Sequence, residues 1–153
     1  MIGGGDQVHA LMAKLSDGRE INLAAPGAPL VLYFYPKDDT SGCTKEAQDY
    51  TALAGDFASA GAIVVGVSRD DMKKHDKFIA KYELKVPLAS DADGAISGAF
   101  GTWVEKSMYG RKYMGIDRAT FLVDRDGRIH RIWRKVKVPG HAEEVLAASR
   151  ELA

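Results

Sequence analysis

A continuous apolar run, Leu30-Val31-Leu32-Tyr33-Phe34-Tyr35, constrains the fold of this chain more than any other segment. Six consecutive apolar residues with β-branched and aromatic side chains predict a strand that is buried on both faces, as in a parallel sheet. Pro36 closes the run, and a short polar loop and a helix-forming segment follow it. A strand, a loop and a helix in this order predict an α/β fold.

The rest of the chain alternates between strand and helix patterns. Asp17-Gly18 predicts the turn of an N-terminal β-hairpin between Val8–Leu15 and Glu20–Leu23. The other expected elements are a helix from about 43 to 60, a strand over 62–67, a helix over 70–82, a short strand over 85–89, a short helix over 92–100, a hairpin of strands 120–123 and 129–133, and a final helix over 141–152. We therefore expect a mixed central sheet flanked by helices, in a thioredoxin-like arrangement that forms one domain over residues 1–153.

Charge and composition exclude several classes of partner. The 21 Lys and Arg residues balance 21 Asp and Glu residues, so there is no electrostatic case for binding nucleic acid or an anionic membrane. The N-terminus carries no signal-peptide pattern and no apolar run approaches transmembrane length, so we expect a cytoplasmic protein. The four histidines are His9, His75, His130 and His141, and their spacing does not match a metal site.

Cys43 is the only cysteine, and it follows the strand and its polar loop. We expect it in or near the first helical turn, where free backbone N–H groups and the helix dipole favour an anion and hence the reactive thiolate. The alternative is a small hydrophobic residue in the core, which is the commoner place for a free cysteine. The polar residues on both sides of Cys43 favour the reactive role.

The residues around Cys43 resemble the active site of the peroxiredoxins. Their pattern is Pro, three residues, Thr or Ser, two residues and Cys, which Pro36, Thr40 and Cys43 match. Further segments resemble the subfamily of bacterioferritin comigratory protein and plant peroxiredoxin Q, and the likeness runs from about Asp17 to the C-terminus. These segments are Tyr33-Phe34-Tyr35-Pro36-Lys37-Asp38, Gly42-Cys43-Thr44-Lys45-Glu46-Ala47, Trp103-Val104-Glu105-Lys106-Ser107-Met108-Tyr109-Gly110 and Arg118-Ala119-Thr120-Phe121-Leu122-Val123-Asp124.

The resemblance implies a thiol-dependent peroxidase that reduces hydrogen peroxide and organic hydroperoxides without a cofactor. Cys43 would be the peroxidatic thiolate, which becomes a sulfenic acid. Thr40 would donate to the thiolate or accept from the peroxide, Arg118 would stabilise charge, and Pro36 would shape and shield the loop. Glu46 either orients an arginine or simply complements the helix dipole.

The chain departs from many members of this subfamily, in which a resolving cysteine lies five residues after the peroxidatic one. Here that position is Gln48, and no second thiol exists in the chain. The resemblance therefore implies a 1-Cys mechanism with an external reductant: thioredoxin, a glutaredoxin or a low-molecular-weight thiol. Relatives in this subfamily are commonly monomers, and we expect a monomer here.

Other functions compete with peroxidase turnover. In a peroxide sensor or a thioredoxin-like binding module, Cys43 would oxidise once without efficient turnover. A glutathione-dependent transferase on the same fold is a third possibility, although the motif is not typical of it. Trp103, Tyr109 and Tyr113 either line an apolar approach for organic hydroperoxides or are packing residues.

Overall fold

The computed structural model of the protein describes residues 2–152. The strands are β1 (Met12–Lys14), β2 (Glu20–Asn22), β3 (Leu30–Phe34), β4 (Ile63–Ser68), β5 (Leu88–Ser90), β6 (Trp103–Met108), β7 (Arg111–Ile116), β8 (Ala119–Val123) and β9 (Ile129–Trp133). The helices are α1 (Ser41–Ala52), α2 (Ala54–Ser59), α3 (Met72–Tyr82), α4 (Ala95–Phe100) and α5 (His141–Arg150).

Five strands form the central sheet in the order β5-β4-β3-β8-β9. β3 is parallel to β4, which is parallel to β5, whereas β8 runs antiparallel to both β3 and β9. β1 and β2 form the separate N-terminal hairpin. The predicted mixed sheet and the predicted N-terminal hairpin are both confirmed.

The central strand β3 is buried on both faces, as the apolar run predicts, because its alternate side chains enter two separate clusters. Leu30, Leu32 and Phe34 pack against the N-terminal hairpin and α4. Val31 and Tyr33 point to the other face, where they pack against α1, α2, α3 and α5. The period of two along a strand explains how one run supplies both layers.

The predicted helix from about 43 to 60 is wrong as a single element. Two helices occupy this segment, and Leu53 separates them with φ −100° and ψ 6°. The Leu53 N–H donates to the Tyr50 carbonyl at 3.2 Å, so α1 ends in a tight turn with an i to i−3 bond. Tyr50 before the break and Phe57 after it still enter the same cluster, with their ring centroids 5.8 Å apart.

The hairpin of β6 and β7 was not among the expected elements. It pairs antiparallel from Trp103 opposite Ile116 to Met108 opposite Arg111. Trp103, Tyr109 and Tyr113 lie on it and are 40%, 99% and 44% exposed, so they are not packing residues of the core. In the described part of the chain, no helix is both long and apolar enough to cross a membrane.

Candidate active site

The candidate site lies at one end of two inner strands of the sheet, where β3 ends and β8 begins. Phe34 pairs with Ala119 in the antiparallel register, so Tyr35, which follows β3, and Arg118, which precedes β8, are neighbours there. Pro36 then starts the loop that leads into α1. Two strands that run in opposite directions thus bring the predicted arginine to the loop that precedes the predicted cysteine.

Cys43 is the third residue of α1, as the sequence predicts for a thiol in the first helical turn. Thr40 is the N-cap residue, with extended backbone, and its carbonyl accepts from the Thr44 N–H at 2.8 Å. The Cys43 side chain is 2% exposed and packs in the cluster on the α1 face of the sheet. The cysteine is therefore buried like a core residue, yet it lies at a helix start, where it meets a charged partner.

That charged partner is Arg118, which contacts two acidic groups of α1 at once. Its Nη2 donates to the Cys43 sulfur at 3.2 Å, and its Nη1 donates to Glu46 Oε1 at 2.8 Å. Cys43 and Glu46 are three residues apart and lie on the same side of the helix. One guanidinium thus bridges the thiol and the carboxylate, which is the arrangement that the sequence analysis allowed for Glu46.

Gly42 permits this close approach of the arginine. A Cβ atom at position 42 would lie 3.3 Å from Arg118 Nη2, which is tighter than most real Cβ contacts. A side chain at position 42 would make Arg118 shift by a few tenths of an ångström, so the lack of space, and not an unusual backbone angle, favours glycine here.

The Glu46 carboxylate is almost wholly buried, and its Oε2 has no hydrogen-bond partner among the protein atoms of residues 2–152. Burial raises the pKa of Glu46 from 4.5 to about 7, although Arg118 opposes the rise. For Arg118, burial acts to lower the pKa, but Glu46 and Cys43 together raise it above the ordinary value. The arginine therefore stays charged at any physiological pH, whereas Glu46 titrates near neutrality.

Thr40 and Pro36 border the site from the solvent side, and both are exposed. The Thr40 hydroxyl donates to the Lys37 carbonyl at 2.9 Å, within the loop. Its proton is thus already engaged, and the hydroxyl oxygen is left as an acceptor. Of the two roles expected for Thr40, this geometry favours acceptance from a bound hydroperoxide.

Buried polar side chains fix the loop between Pro36 and Thr40 to the rest of the fold. The Asp38 carboxylate accepts from the Tyr35 hydroxyl at 2.5 Å and lies 2.6 Å from His75 Nδ1 on α3. His75 Nε2 lies 2.9 Å from the Ala89 carbonyl, which can only accept, so the ring carries a proton on Nε2. The Asp38 N–H in turn donates to Asp70 at 2.8 Å.

The sequence alone assigns no role to Gly42, Asp38 or His75. A helical period could have found His75, which is three residues from both Met72 and Phe78 and so belongs to the apolar face of α3. No local pattern marks Asp38 as buried, because one of its two side-chain partners, His75, lies 37 residues away on α3, and the other is Tyr35, the residue that follows β3. Gly42 is explained only by Arg118, which is 76 residues away in sequence.

No cluster of three or more potential metal ligands occurs within residues 2–152. Gln48, which stands where many members of the subfamily have the resolving cysteine, is exposed on α1. Since Cys43 is the only thiol, the site itself holds one redox-active group, and a reaction that forms a disulfide needs a second molecule.

Comparison with known proteins shows which family the chain resembles. Residues 5–132 match the AhpC/TSA family. The chain is 51% identical over 139 residues to peroxiredoxin Bcp of Xanthomonas campestris, covering 90% of this chain and 87% of the relative. It is 42% identical over 145 residues to peroxiredoxin Bcp of Bacillus subtilis, covering 95% and 88% of the two chains.

Solved structures give the same result. The bacterioferritin comigratory protein of Xanthomonas campestris, studied for its alkyl peroxide reduction activity, superposes with a TM-score of 0.85 at 49% identity, covering 92% of this chain and 90% of that one. A cysteine mutant of PrxQ from Xylella fastidiosa superposes with a TM-score of 0.89 at 40% identity, covering 99% and 97%. The thioredoxin-like fold expected from the sequence is thereby confirmed.

Proposed function

This chain belongs to the AhpC/TSA family, as a peroxiredoxin of the Bcp and peroxiredoxin Q kind, and on that premise we propose how its residues divide the reaction. It is a thiol-dependent peroxidase, and its single cysteine fits the 1-Cys type. The observation that carries the assignment of roles is the contact between Arg118 Nη2 and the Cys43 sulfur at 3.2 Å.

In the first half-reaction, the Cys43 thiolate attacks the terminal oxygen of the hydroperoxide. A sulfur–oxygen bond forms as the oxygen–oxygen bond breaks, which gives a sulfenic acid and an alkoxide or hydroxide that takes up a proton. Arg118 stabilises the thiolate before the attack and the developing negative charge during it. Glu46 acts through Arg118, whose second nitrogen it holds, and is therefore a positioning residue.

Thr40 and Pro36 orient the peroxide from the solvent side. The Thr40 oxygen accepts the hydrogen bond of the peroxide O–H, since its own proton is donated to Lys37. Pro36 fixes one backbone angle and removes an N–H donor at the point where β3 leaves the sheet. Both roles are supported by the position of these residues at the start of the loop and at the cap of α1.

In the second half-reaction, an external thiol must reduce the sulfenic acid. The thiolate of the reductant attacks the Cys43 sulfur, a mixed disulfide forms with loss of water, and a second thiol releases Cys43. A continuous supply of thiols is a property of the cytoplasm, which is where we place this protein. We further propose that residues 1–153 act as one domain and that the protein is a monomer, as the resemblance to its subfamily implies.

The experiment that tests this function is peroxide consumption by the purified protein under excess dithiothreitol, with intact mass read before and after. We expect sustained turnover that disappears in the Cys43→Ser variant. A Thr44→Ser variant, which alters a half-buried hydroxyl beside the thiol without removing it, is the matched control and should keep its turnover. A single gain of one oxygen without turnover would overturn the peroxidase assignment in favour of a peroxide sensor.

A further inference from the structure

The β6–β7 hairpin carries most of the large apolar side chains at the surface. Six such side chains are exposed within residues 2–152, and five of them lie on this hairpin: Trp103, Met108, Tyr109, Tyr113 and Met114. The sixth, Met12, lies on β1. Among residues 2–152 the two strands pair only with each other, and Ile116, at the base, is the one buried residue of the pair. The hairpin therefore projects from the body of the protein.

Tyr109 stands at the tip of this hairpin in a conformation that the fold alone does not favour. Met108 pairs with Arg111, so Tyr109 and Gly110 form a two-residue turn, with φ 52° and 77°. Positive φ at both positions is the property of a type I′ turn, in which asparagine followed by glycine is preferred. The left-handed region is unfavourable for tyrosine, and a ring that is 99% exposed gains nothing from packing within the protein. A contact outside the chain would explain this residue.

Apolar side chains lie on both faces of the hairpin as well as at its tip. Because side chains alternate along a strand, the register places Trp103 and Met114 on one face and Met108 and Tyr113 on the other. A protein partner that packs on one face would leave the other face in water. A lipid interface, in contrast, surrounds the tip of a projecting hairpin on all sides. The arrangement therefore favours a lipid surface over a protein surface.

The local charge indicates that this lipid surface is anionic. The hairpin carries three basic residues, Lys106, Arg111 and Lys112, and one acidic residue, Glu105. Lys112 Nζ lies 3.8 Å from Glu105 Oε1, which leaves Lys106 and Arg111 without an ion pair among residues 2–152. The balanced charge of the whole chain excludes long-range attraction to a membrane, but at physiological salt only charges within about 10 Å of a surface act on it. The basic hairpin is complementary to lipid phosphates at that distance.

We propose that the tip of the β6–β7 hairpin docks on an anionic lipid surface. An amphipathic segment enters such an interface by about 5 to 10 Å, which corresponds to two to three residues of each strand. At that depth Met108, Tyr109 and Tyr113 enter the interface, where tyrosine rings are favoured, and the three basic side chains meet the phosphates. The seven residues from Arg111 to Arg118 span at most about 25 Å, so docking holds the active site near the lipid surface.

The test measures binding of the full-length reduced protein to lipid vesicles by sedimentation, without peroxide. Vesicles of phosphatidylcholine that contain about one quarter phosphatidylglycerol are compared with vesicles of phosphatidylcholine alone. We expect the partition coefficient to be about tenfold higher on the anionic vesicles, because about 1 kcal/mol is gained for each basic residue at an anionic surface. Sodium chloride should weaken this binding, because salt screens exposed charges.

Two variants of the hairpin separate its apolar and basic contributions. Tyr109→Asn removes the ring and introduces the residue that the turn prefers, so it should lower the partition coefficient about fivefold without lowering the thermal stability. The paired variant Met108→Ser, Lys112→Gln should lower it by about tenfold or more. The matched control is the pair Met12→Ser, Lys14→Gln, which removes an exposed methionine and an exposed lysine from the N-terminal hairpin. This control should leave the partition coefficient unchanged.

Three outcomes would overturn the proposal. The first is an absence of binding to the anionic vesicles, or equal binding to both kinds of vesicle. The second is binding by the two hairpin variants that equals binding by the wild type. The third is binding to soluble poly-glutamate that is stronger than binding to the anionic vesicles, which would favour an acidic protein as the partner. Because no peroxide is used, these results are independent of the proposed peroxidase function.

Discussion

Arg118 is the residue on which the chemistry of the site converges. Its guanidinium divides its donors between a sulfur that must be reactive and a carboxylate that is nearly sealed from water. The buried Glu46 carboxylate is incompletely hydrogen-bonded, because only one of its two oxygens has a partner within residues 2–152. The proton on Glu46 therefore decides whether Arg118 has one anionic neighbour or two.

Glu46 makes the stability of the protein depend on pH. Its folded-state pKa of about 7 lies above the ordinary value of 4.5, so the folded state holds this proton more tightly than the unfolded state does. Below pH 4.5 both states are protonated, and as pH rises from 4.5 through 7 the folded state loses this advantage, by about 3 kcal/mol in total. The Glu46→Gln variant should lose this decline, which urea unfolding at pH 5 and pH 8 would measure.

The same variant tests the positioning role of Glu46. In the wild type, kcat/KM for peroxide should fall as pH drops through about 7, because a protonated Glu46 is no longer an anionic partner of Arg118. In Glu46→Gln this part of the pH profile should disappear, and the rate at pH 8 should be about tenfold lower. A variant that keeps the wild-type profile would show that Glu46 is only a structural residue.

Replacing Gly42 should raise the stability of the helix and lower the activity. Gly42→Ala should stabilise α1 by about 0.5 to 1 kcal/mol, because glycine is a poor helix residue. The added methyl group meets Arg118 Nη2 at 3.3 Å and should displace it from Cys43, which lowers kcat/KM for peroxide several-fold. Thermal unfolding and peroxide kinetics on the same sample measure both effects. Gly55→Ala, in the neighbouring helix with open space around it, is the control and should change stability alone.

At the scale of the elements, the active-site loop is held by α3 and not by α1, the helix that it precedes. Asp38 is buried between Tyr35 and His75, while the left-handed Asp39, with φ 59°, binds Lys81 and Tyr82. The position of α3 therefore sets the shape of the loop that ends at Thr40. Changes on α3 should reach the active site through these contacts.

The Asp38→Asn variant tests this anchor. It replaces the carboxylate that is hydrogen-bonded to a fully buried histidine, and weakening a buried hydrogen bond of this kind costs about 1 to 3 kcal/mol. Urea unfolding at pH 7 should show that loss, whereas Asp76→Asn, an exposed carboxylate of the same helix, should change stability by less than about 0.5 kcal/mol. The double variant with His75→Gln should be less destabilised than the sum of the single variants; additive losses would contradict a coupled pair.

Periodicity predicted most of these elements, and its failures have physical causes. The strand Leu30–Phe34 and the helix Met72–Tyr82 follow from local pattern, because each buries a face that the sequence displays. The β6 and β7 hairpin does not follow from a local pattern, since its side chains are mostly exposed and show no alternation of apolar and polar residues. The break at Leu53 is not visible in the apolar pattern, because Tyr50 and Phe57 are seven residues apart and would share one face of an unbroken helix too.

The residues of the candidate site also fall into those that the sequence predicts and those that it does not. The motif of Pro36, Thr40 and Cys43 is local in sequence and was predicted, and Arg118 was predicted only from the resemblance to the peroxiredoxins. The pattern over 70–82 predicts the helix α3, but nothing in the sequence shows that its residues Lys74, Lys77 and Lys81 line the same cavity as Lys37 of the loop. Contacts between distant segments are set by the β3 and β8 register and by the packing of α3, neither of which a single sequence displays.

At the scale of the whole molecule, the chain has a single cysteine, whereas many members of the subfamily have a second, resolving one. Without a thiol to capture it, the sulfenic acid is exposed to a second peroxide, which produces sulfinic acid. We expect progressive inactivation at high peroxide, seen as a gain of two oxygens on Cys43 by intact mass. Excess reductant should slow this loss, since it competes for the same intermediate.

Gln48→Cys would return a thiol to the position that many members of the subfamily use, and it tests whether this helix can still open. Five residues of α1 span about 7.5 Å, more than the roughly 7 Å between Cα atoms that a disulfide tolerates, so the first turn must unwind for the bond to form. That turn is weakly held, because within residues 2–152 no side chain caps it and no acidic residue lies in it. The variant should therefore form an internal disulfide with peroxide and accumulate sulfinic acid severalfold more slowly than the wild type and than Gln48→Ser. If sulfinic acid accumulates equally in all three proteins, α1 is too rigid to present Cys43, and the external thiol must reach it within the folded helix.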